Sequence, residues 1–237
     1  MSDDRTSNQP PAKADLGSLT TISAADDHMF QAYHVKARGK RRGGMVVVQE
    51  IFGVNSHIRA LADRLAEQGY EVYAPALFDR VERRVELGYG PEEIERGRSL
   101  RAGIDWTPAV LDVQACVAGM RGNGEVGVVG FCWGGSVAWQ TACRALGVSA
   151  AVCYYGGQIA AFADLKPRCP VLMHFGERDA SIPIADVEKI RAAHPEIAVY
   201  TYAAGHGFNC DQRASYDAAA AAAAWPRTLA FLAEHVG

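Results

Sequence analysis

The residue best placed to do chemistry in this sequence is Cys132, the centre of the pentapeptide Gly130-Phe131-Cys132-Trp133-Gly134. An apolar run, residues 126–129, precedes it, and an alanine-rich helical pattern follows it. The sequence therefore predicts a sharp turn from a buried strand into a helix, with glycines that let the two elements approach closely. The helix N-terminus would direct its free N–H groups at the sulfur, which favours the thiolate. Cys132 is thus predicted to be a nucleophile.

Two further residues would complete a catalytic triad. A cysteine nucleophile needs a base within hydrogen-bond reach, and the base needs a group that orients it. Asp179 follows a predicted strand at residues 171–175, and His206 follows another at residues 198–202. Ligands of open parallel sheets bind beyond the carboxyl ends of the strands, so we expect Cys132, Asp179 and His206 to meet there. Glu177 is the alternative orienting acid, and Asp179 is favoured over it.

The segment after the predicted strand at residues 45–49 supplies a second set of polar groups. Glu50 ends this strand, where a carboxylate that faces the core is costly unless it is paired. The loop that follows, beginning at Ile51, is expected to direct a backbone N–H at a developing oxyanion. We expect the N–H groups of Ile51 and Trp133 to stabilise that negative charge together.

Short apolar runs alternate with helical patterns along the rest of the chain. Strands are predicted at residues 19–23, 29–35, 45–49, 72–77, 126–130, 150–155, 171–175 and 198–202, and a closing helix at residues 215–235. Residues 79–90 are charged and predict a long surface loop. The alternation predicts an α/β fold with a mostly parallel central sheet, helices on both faces and one or two antiparallel edge strands. Residues 1–17 are predicted to be a flexible N-terminal lead-in to a single domain at residues 18–237.

Composition narrows the function classes. The 237 residues include 24 Lys and Arg against 27 Asp and Glu, a net charge of −3, and the basic residues form no long stripe, so nucleic acid is not an expected partner. No apolar segment reaches the ~18 residues that a membrane span requires. The N-terminus lacks the apolar segment of a secretory signal. We expect a cytoplasmic protein without a membrane partner, as a monomer or small homo-oligomer.

The six cysteines show no C-x-x-C pairing and no spacing with histidine that is typical of a metal site. Several of them lie inside apolar runs. We therefore expect mostly buried free thiols in a reducing compartment, with no disulfide framework, no metal and no cofactor.

Taken together, these segments resemble the dienelactone hydrolase family of the α/β-hydrolase superfamily, over about residues 19–236. The matching blocks are QEIFGVN at residues 49–55, GFCWGG at 130–135, YYG at 154–156, GERD at 176–179 and AGHGF at 204–208. The resemblance implies the α/β-hydrolase fold and a cofactor-free carboxylic ester hydrolase. Its implied reaction is the opening of a dienelactone ring, the carboxymethylenebutenolidase reaction of aromatic-compound degradation.

The resemblance also implies roles for four side chains. Cys132 would be the nucleophile that forms an acyl-enzyme, His206 the base and then the acid, and Asp179 the residue that orients the histidine. Glu50 would interact with the resting thiol and help to activate it when substrate binds.

Substrate recognition departs from the family pattern. Well-studied members bind the substrate carboxylate with two arginines, and the first should lie near residues 91–101. The second usually follows the histidine closely, but the sequence there reads Gly207-Phe208-Asn209-Cys210, so this arginine is missing unless Arg213 reaches the site. A serine often stands where this chain has Gly207. The candidate substrate-binding residues are therefore Arg96, Arg98, Arg101, Phe52 and Gly207.

Two other functions fit part of this pattern. A carboxylesterase or thioesterase of different specificity would use the same triad on another small-molecule lactone or ester, and a panel of carboxylate-bearing and neutral esters would distinguish it. A non-catalytic small-molecule receptor on the same scaffold is the alternative from another class. Tight binding without turnover would identify it.

Overall fold

The structure is a computed structural model that describes residues 15–237. The last residues of the predicted N-terminal lead-in are among them. The Leu16 N–H donates to Asp63 Oδ2 at 3.2 Å, and the Gly17 N–H donates to the Tyr33 hydroxyl at 2.8 Å. Residues 1–14 of the lead-in lie outside the described residues.

Strands and helices alternate along the described chain, as the apolar runs predict. The strands are β1 Ser18–Ser23, β2 Met29–Val35, β3 Gly43–Val48, β4 Tyr70–Pro75, β5 Val126–Phe131, β6 Ala150–Tyr154, β7 Val171–Gly176 and β8 Ala198–Tyr202. The α-helices are α1 Ser56–Glu67, α2 Pro91–Ala102, α3 Trp106–Arg121, α4 Trp133–Arg144, α5 Ile184–Ala193 and α6 Ala218–His235, with short 3-10 helices at Leu77–Arg80 and Ile159–Phe162. No helix within residues 15–237 is both long enough and apolar enough to cross a membrane.

The strands form one sheet in the order β1-β2-β4-β3-β5-β6-β7-β8. The β1–β2 and β2–β4 pairs are antiparallel, and the pairs from β4 to β8 are parallel. Every residue of β3, β5 and β7 is buried. Because successive side chains of a strand point to opposite faces, both faces of the central sheet are covered. The predicted mostly parallel sheet, with two antiparallel strands at one edge, is confirmed.

Residues 79–90 lie mostly at the surface, as predicted, but two buried residues anchor the segment to the sheet side of the molecule. Asp79 and Val85 are buried, and the Asp79 carboxylate accepts a hydrogen bond from the Gln31 N–H at 2.8 Å. Glu86 forms an antiparallel bridge with Gly53, and the Leu87 N–H donates to the Phe52 carbonyl at 2.9 Å. The many charged residues of this segment give no indication of its few buried ones. These buried residues and the contacts with Phe52 and Gly53 hold the segment against the loop that follows β3.

The four predicted catalytic side chains all follow strands at the carboxyl edge of the sheet. Glu50 lies just beyond β3 and Cys132 just beyond β5, its neighbour in the sheet. Asp179 follows β7, and His206 follows the adjacent β8. The topology thus brings segments that are distant in sequence to one edge, as expected for ligand sites of open parallel sheets.

Candidate active site

Cys132 occupies the single residue between β5 and α4. Its backbone has φ 55° and ψ −119°, a conformation that non-glycine residues adopt only at a cost in strain. The Cys132 N–H donates to the Tyr154 carbonyl at 3.0 Å, and the Cys132 carbonyl accepts from the N–H groups of Gly135 and Ser136. The chain can therefore reverse from strand to helix at this residue, and the side chain stays partly exposed.

The glycines beside Cys132 are required by the same turn. A Cβ atom on Gly130 would lie 1.8 Å from the Gly134 carbonyl oxygen. One on Gly134 would lie 2.4 Å from the carbonyl oxygens of Val48 and Gln49. Helix α4 therefore packs directly on the backbones of β3 and β5, a contact that any side chain at these positions would prevent.

His206 connects Cys132 to Asp179. Its Nε2 lies 3.1 Å from Cys132 Sγ, and its Nδ1 lies 2.7 Å from Asp179 Oδ2. The other Asp179 oxygen accepts the Ser181 N–H at 2.8 Å, which fixes the orientation of the carboxylate. Glu177, the alternative acid, is exposed. The structure thus brings together the three residues whose order in the sequence suggested a triad.

The surroundings of His206 strongly favour its protonated ring. Burial, the largest single influence, lowers its pKa, but the charge and hydrogen bond of Cys132 and those of Asp179 more than offset it and raise the pKa to about 10. Tyr155 packs edge-on against the ring, with centroids 5.2 Å apart, and helps to exclude water. At neutral pH the site therefore holds an imidazolium between two acidic partners.

The two predicted oxyanion donors also lie at the site. Ile51, Trp133 and Cys132 line the same cavity. Within residues 15–237, the backbone N–H groups of Ile51 and Trp133 donate to no protein acceptor, so both remain available to a ligand. Helix α2 packs against the backbone of Ile51, because a Cβ atom on Gly97 would lie only 2.1 Å from the Ile51 carbonyl oxygen. An isolated glycine inside a charged helical pattern is the sequence signal that could have revealed this contact.

A cavity of about 370 Å³ opens beside Cys132 and His206. Of the three arginines considered in α2, Arg98 and Arg101 line it, whereas Arg96 pairs with Glu82 at 2.5 Å and is not part of its described lining. Arg98 is exposed and pairs with Glu95 at 2.6 Å. Arg101 is less exposed, lies over the Trp106 ring at 5.0 Å, and has a buried Nε without a hydrogen-bond partner. Arg101 thus has an unused donor beside the cavity.

Arg213 also reaches this cavity, from the loop that follows His206. Its Nη1 donates to Glu50 Oε1 at 3.1 Å, and its guanidinium lies 5.4 Å from the centre of the Phe52 ring. Burial, the largest single influence, lowers the pKa of Arg213, but the charge of Glu50 together with those of Cys132, Tyr155 and Cys210 offsets it, so the pKa is raised. The arginine that is absent directly after the histidine is therefore replaced in space by one further along the loop.

Gly207 makes room for Arg213. Its φ is 75°, and a Cβ atom there would lie 2.4 Å from Arg213 Nη1. Gly207 therefore lies beside the guanidinium rather than in the described lining of the cavity. Glu50, only 1% exposed, contacts Arg213, and no hydrogen bond joins it to Cys132 in the part of the chain described. The two departures from the family pattern, Gly207 and Arg213, are thus parts of one arrangement.

The influence of Cys132 on His206 gives a direct spectroscopic prediction. In the unmodified protein we expect nitrogen NMR of the ring to show a pKa near 10. In C132S the charge of the sulfur no longer raises the pKa of His206, so this pKa should fall below that of the unmodified protein. An unshifted His206 pKa in C132S would contradict the imidazolium–thiolate arrangement.

Comparison with known proteins identifies the family. A sequence model of the dienelactone hydrolase family matches residues 30–236. A Pseudomonas putida protein named carboxymethylenebutenolidase is 33% identical over 226 residues, 90% of this chain and 94% of its own. A Synechocystis sp. protein, whose name gives that activity provisionally, is 39% identical over 203 residues, 77% of this chain and 82% of its own.

A solved structure agrees with this assignment. A Klebsiella pneumoniae protein, described provisionally as a dienelactone hydrolase, superposes with a TM-score of 0.80 and 31% identity over 94% of this chain and 100% of its own. Its architecture is that of the sheet described above, so the predicted α/β-hydrolase fold is confirmed. This chain belongs to the dienelactone hydrolase family of hydrolases.

Proposed function

We propose that this protein hydrolyses a lactone or an activated carboxylic ester of the dienelactone type through a covalent intermediate on Cys132. The observation that carries the proposal is the continuous contact from Asp179 through His206 to the Cys132 sulfur, at 2.7 and 3.1 Å, on the wall of a cavity. The carboxymethylenebutenolidase name of the Pseudomonas putida relative supports the substrate class.

In the first half of the reaction, the Cys132 thiolate attacks the carbonyl carbon and forms a C–S bond. The carbonyl oxygen takes the electron pair and accepts hydrogen bonds from the Ile51 and Trp133 N–H groups, each worth about 3 kcal/mol of barrier. The C–O bond then breaks, and the leaving oxygen takes the proton from His206 Nε2. These steps produce a thioester on Cys132 and a neutral imidazole.

In the second half, the same imidazole becomes the base. Once the sulfur is acylated it carries no charge, so its contribution to the raised pKa of His206 disappears. The ring takes a proton from water, and the hydroxide attacks the thioester carbonyl. The tetrahedral intermediate collapses, the C–S bond breaks, and the thiolate–imidazolium pair is restored.

Enol lactones and activated esters suit this chemistry better than amides. The alcohol released in the first step can attack the thioester again unless it is a poor nucleophile, departs or changes chemically. When an enol lactone opens, its enol oxygen tautomerises to a ketone and is no longer a nucleophile. Hydrolysis of the acyl-enzyme then has no competing reverse reaction, and peptidase activity is not expected.

The charge of the cavity favours a substrate that carries a carboxylate. Arg101 and Arg213 both line it, and Arg101 has a buried donor without a partner. A substrate carboxylate could pair with these guanidinium groups, and a charged hydrogen bond of this kind contributes about 1.5–3 kcal/mol. A neutral carboxylesterase or thioesterase substrate would lack this interaction, and therefore the dienelactone class is preferred.

The triad roles are tested by three substitutions assayed on dienelactone and on a p-nitrophenyl ester. C132A should abolish turnover. D179N should lower kcat by roughly 10²–10⁴-fold, because the imidazole loses its orienting partner and counter-charge. The matched change E177Q, on an exposed side chain of the same loop, should leave kcat within about twofold of the unmodified enzyme. Full activity of C132A, or a larger loss in E177Q than in D179N, would refute these assignments.

Oxyanion stabilisation is tested at Gly97. In G97A the new methyl group would clash with the Ile51 carbonyl and displace the backbone of Ile51, and with it the N–H on the other side of the residue, so kcat should fall about tenfold to a thousandfold. The rate at which iodoacetamide alkylates Cys132 should not change. G119A is the control, since the nearest atom to its Cβ is a Tyr73 ring carbon at 3.7 Å. Equal kcat in G97A and the unmodified enzyme would exclude Ile51 as a donor.

Carboxylate recognition is tested by R101M. Its KM for dienelactone should rise at least about tenfold, the loss expected for a charged hydrogen bond. Its KM for a neutral p-nitrophenyl ester should change little. R96M, which removes an exposed arginine outside the cavity, should behave as the unmodified enzyme on both substrates. If R101M changes KM for dienelactone and for the neutral ester by the same factor, Arg101 does not bind a substrate carboxylate, and the protein is an esterase of different specificity.

A further inference from the structure

A second cluster of reactive side chains lies beside the Arg213–Glu50 pair and is not used by the proposed reaction. It consists of Glu50, His57 and Cys210, all at least 98% buried. One potential ligand atom from each of these residues lies within 4.8 Å of those of the other two. His57 comes from the first turn of α1 and Cys210 from the loop after His206, so the fold assembles the cluster from three separate segments.

Within residues 15–237, two atoms of this cluster have no hydrogen-bond partner. His57 Nδ1 lies 3.3 Å from Asp211 Oδ1, which leaves Nε2, and Nε2 is buried without a hydrogen bond. Glu50 Oε1 accepts from Arg213, whereas Glu50 Oε2 is buried and unpartnered. Buried polar atoms in native proteins are almost always paired, so two unpaired atoms in one cluster require an explanation.

We propose that Glu50, His57 and Cys210 form a zinc-binding site. A thiolate, an imidazole and a carboxylate are the three ligand types that Zn²⁺ prefers in proteins. Tetrahedral zinc would hold their ligand atoms roughly 3.3–3.6 Å apart, which small side-chain adjustments achieve from the present spacing. The fourth position would be taken by water.

The groups around the cluster suit a bound cation. Asp211 fixes the His57 ring through Nδ1, the arrangement in which a carboxylate orients a metal-bound histidine. Glu50 can bridge, with one oxygen on Arg213 and the other on the metal. The charges of zinc and Arg213 would be balanced by Glu50, Asp211 and the Cys210 thiolate. Zinc could therefore bind without breaking the Arg213–Glu50 pair.

Two other outcomes compete with this proposal. The cluster could be an ionic network alone, since burial lowers the pKa of His57 but the neighbouring Asp211, Cys210 and Glu50 together offset it and raise the pKa to about 9. A metal would then have to displace the ring proton. Alternatively, zinc could bind to Cys132 and His206 instead. The experiment must separate all three outcomes.

The first measurement is zinc affinity, by competition with a chromophoric chelator. The unmodified protein should bind one zinc ion per chain. C210A and H57Q should each weaken binding at least about a hundredfold, and D211N about tenfold to a hundredfold. C169S is the control, because Cys169 is a partly exposed free thiol remote from the cluster, at the start of β7, and should not change the affinity. Circular dichroism verifies that each variant is folded.

The second measurement identifies which thiol binds, and it does not depend on catalysis. Cobalt replaces zinc in such sites, and thiolate ligation gives a charge-transfer band in the near ultraviolet. The band should persist in C132S and be absent in C210A and H57Q. Absence of the band in C132S with retention in C210A would place the metal on the proposed nucleophile and overturn the proposal. Failure of the unmodified protein to bind zinc would overturn it as well.

Discussion

The site depends on one constraint: the chain must change from strand to helix within a single residue. Cys132 satisfies it by adopting a left-handed backbone conformation, which three backbone hydrogen bonds maintain. The glycines at 130 and 134 allow helix and sheet to touch backbone to backbone, so the turn cannot relax outward. The sulfur is consequently held where a histidine from another strand end can reach it. Strain of this kind is retained only where the surrounding structure enforces it.

The site contains two groups of charged side chains, one around Cys132 and one around Glu50, and they have different roles. Around Cys132, the His206 ring lies between a carboxylate and a sulfur, and the charges of both raise its pKa. Around Glu50, a guanidinium and a carboxylate form a buried pair, and breaking such a pair leaves an uncompensated charge. The first group changes its protonation during the proposed cycle, and the second keeps the neighbouring loop in place.

The parts of this arrangement that could be predicted from sequence are those that local patterns encode. The apolar runs predicted the strands. Cys132, Asp179 and His206 each follow one of these runs, which placed them at the same edge of the sheet. The preference for Asp179 over Glu177 agrees with the geometry, since Asp179 contacts His206 and Glu177 is exposed. These features needed only strand positions and the rule that parallel strands end together.

The parts that could not be predicted depend on side chains reaching across the fold. The choice among Arg96, Arg98 and Arg101 depends on which face of α2 lines the cavity. The largely charged sequence of this helix does not indicate that face. The reach of Arg213 depends on the missing side chain at Gly207. The proximity of His57 to Cys210 brings together a helix and a loop far apart in sequence, so no spacing motif indicates it. In each case a long-range contact decides what a local pattern leaves open.

The origin of the cavity walls has a consequence for how such proteins diversify. The groups proposed to react sit on strand ends, whereas the arginines come from α2 and from the loop that carries Arg213. Replacing surface residues of α2 therefore alters which molecules fit while the strained turn and its histidine stay intact. A laboratory library restricted to this one helix should yield new selectivities without rebuilding the reactive machinery.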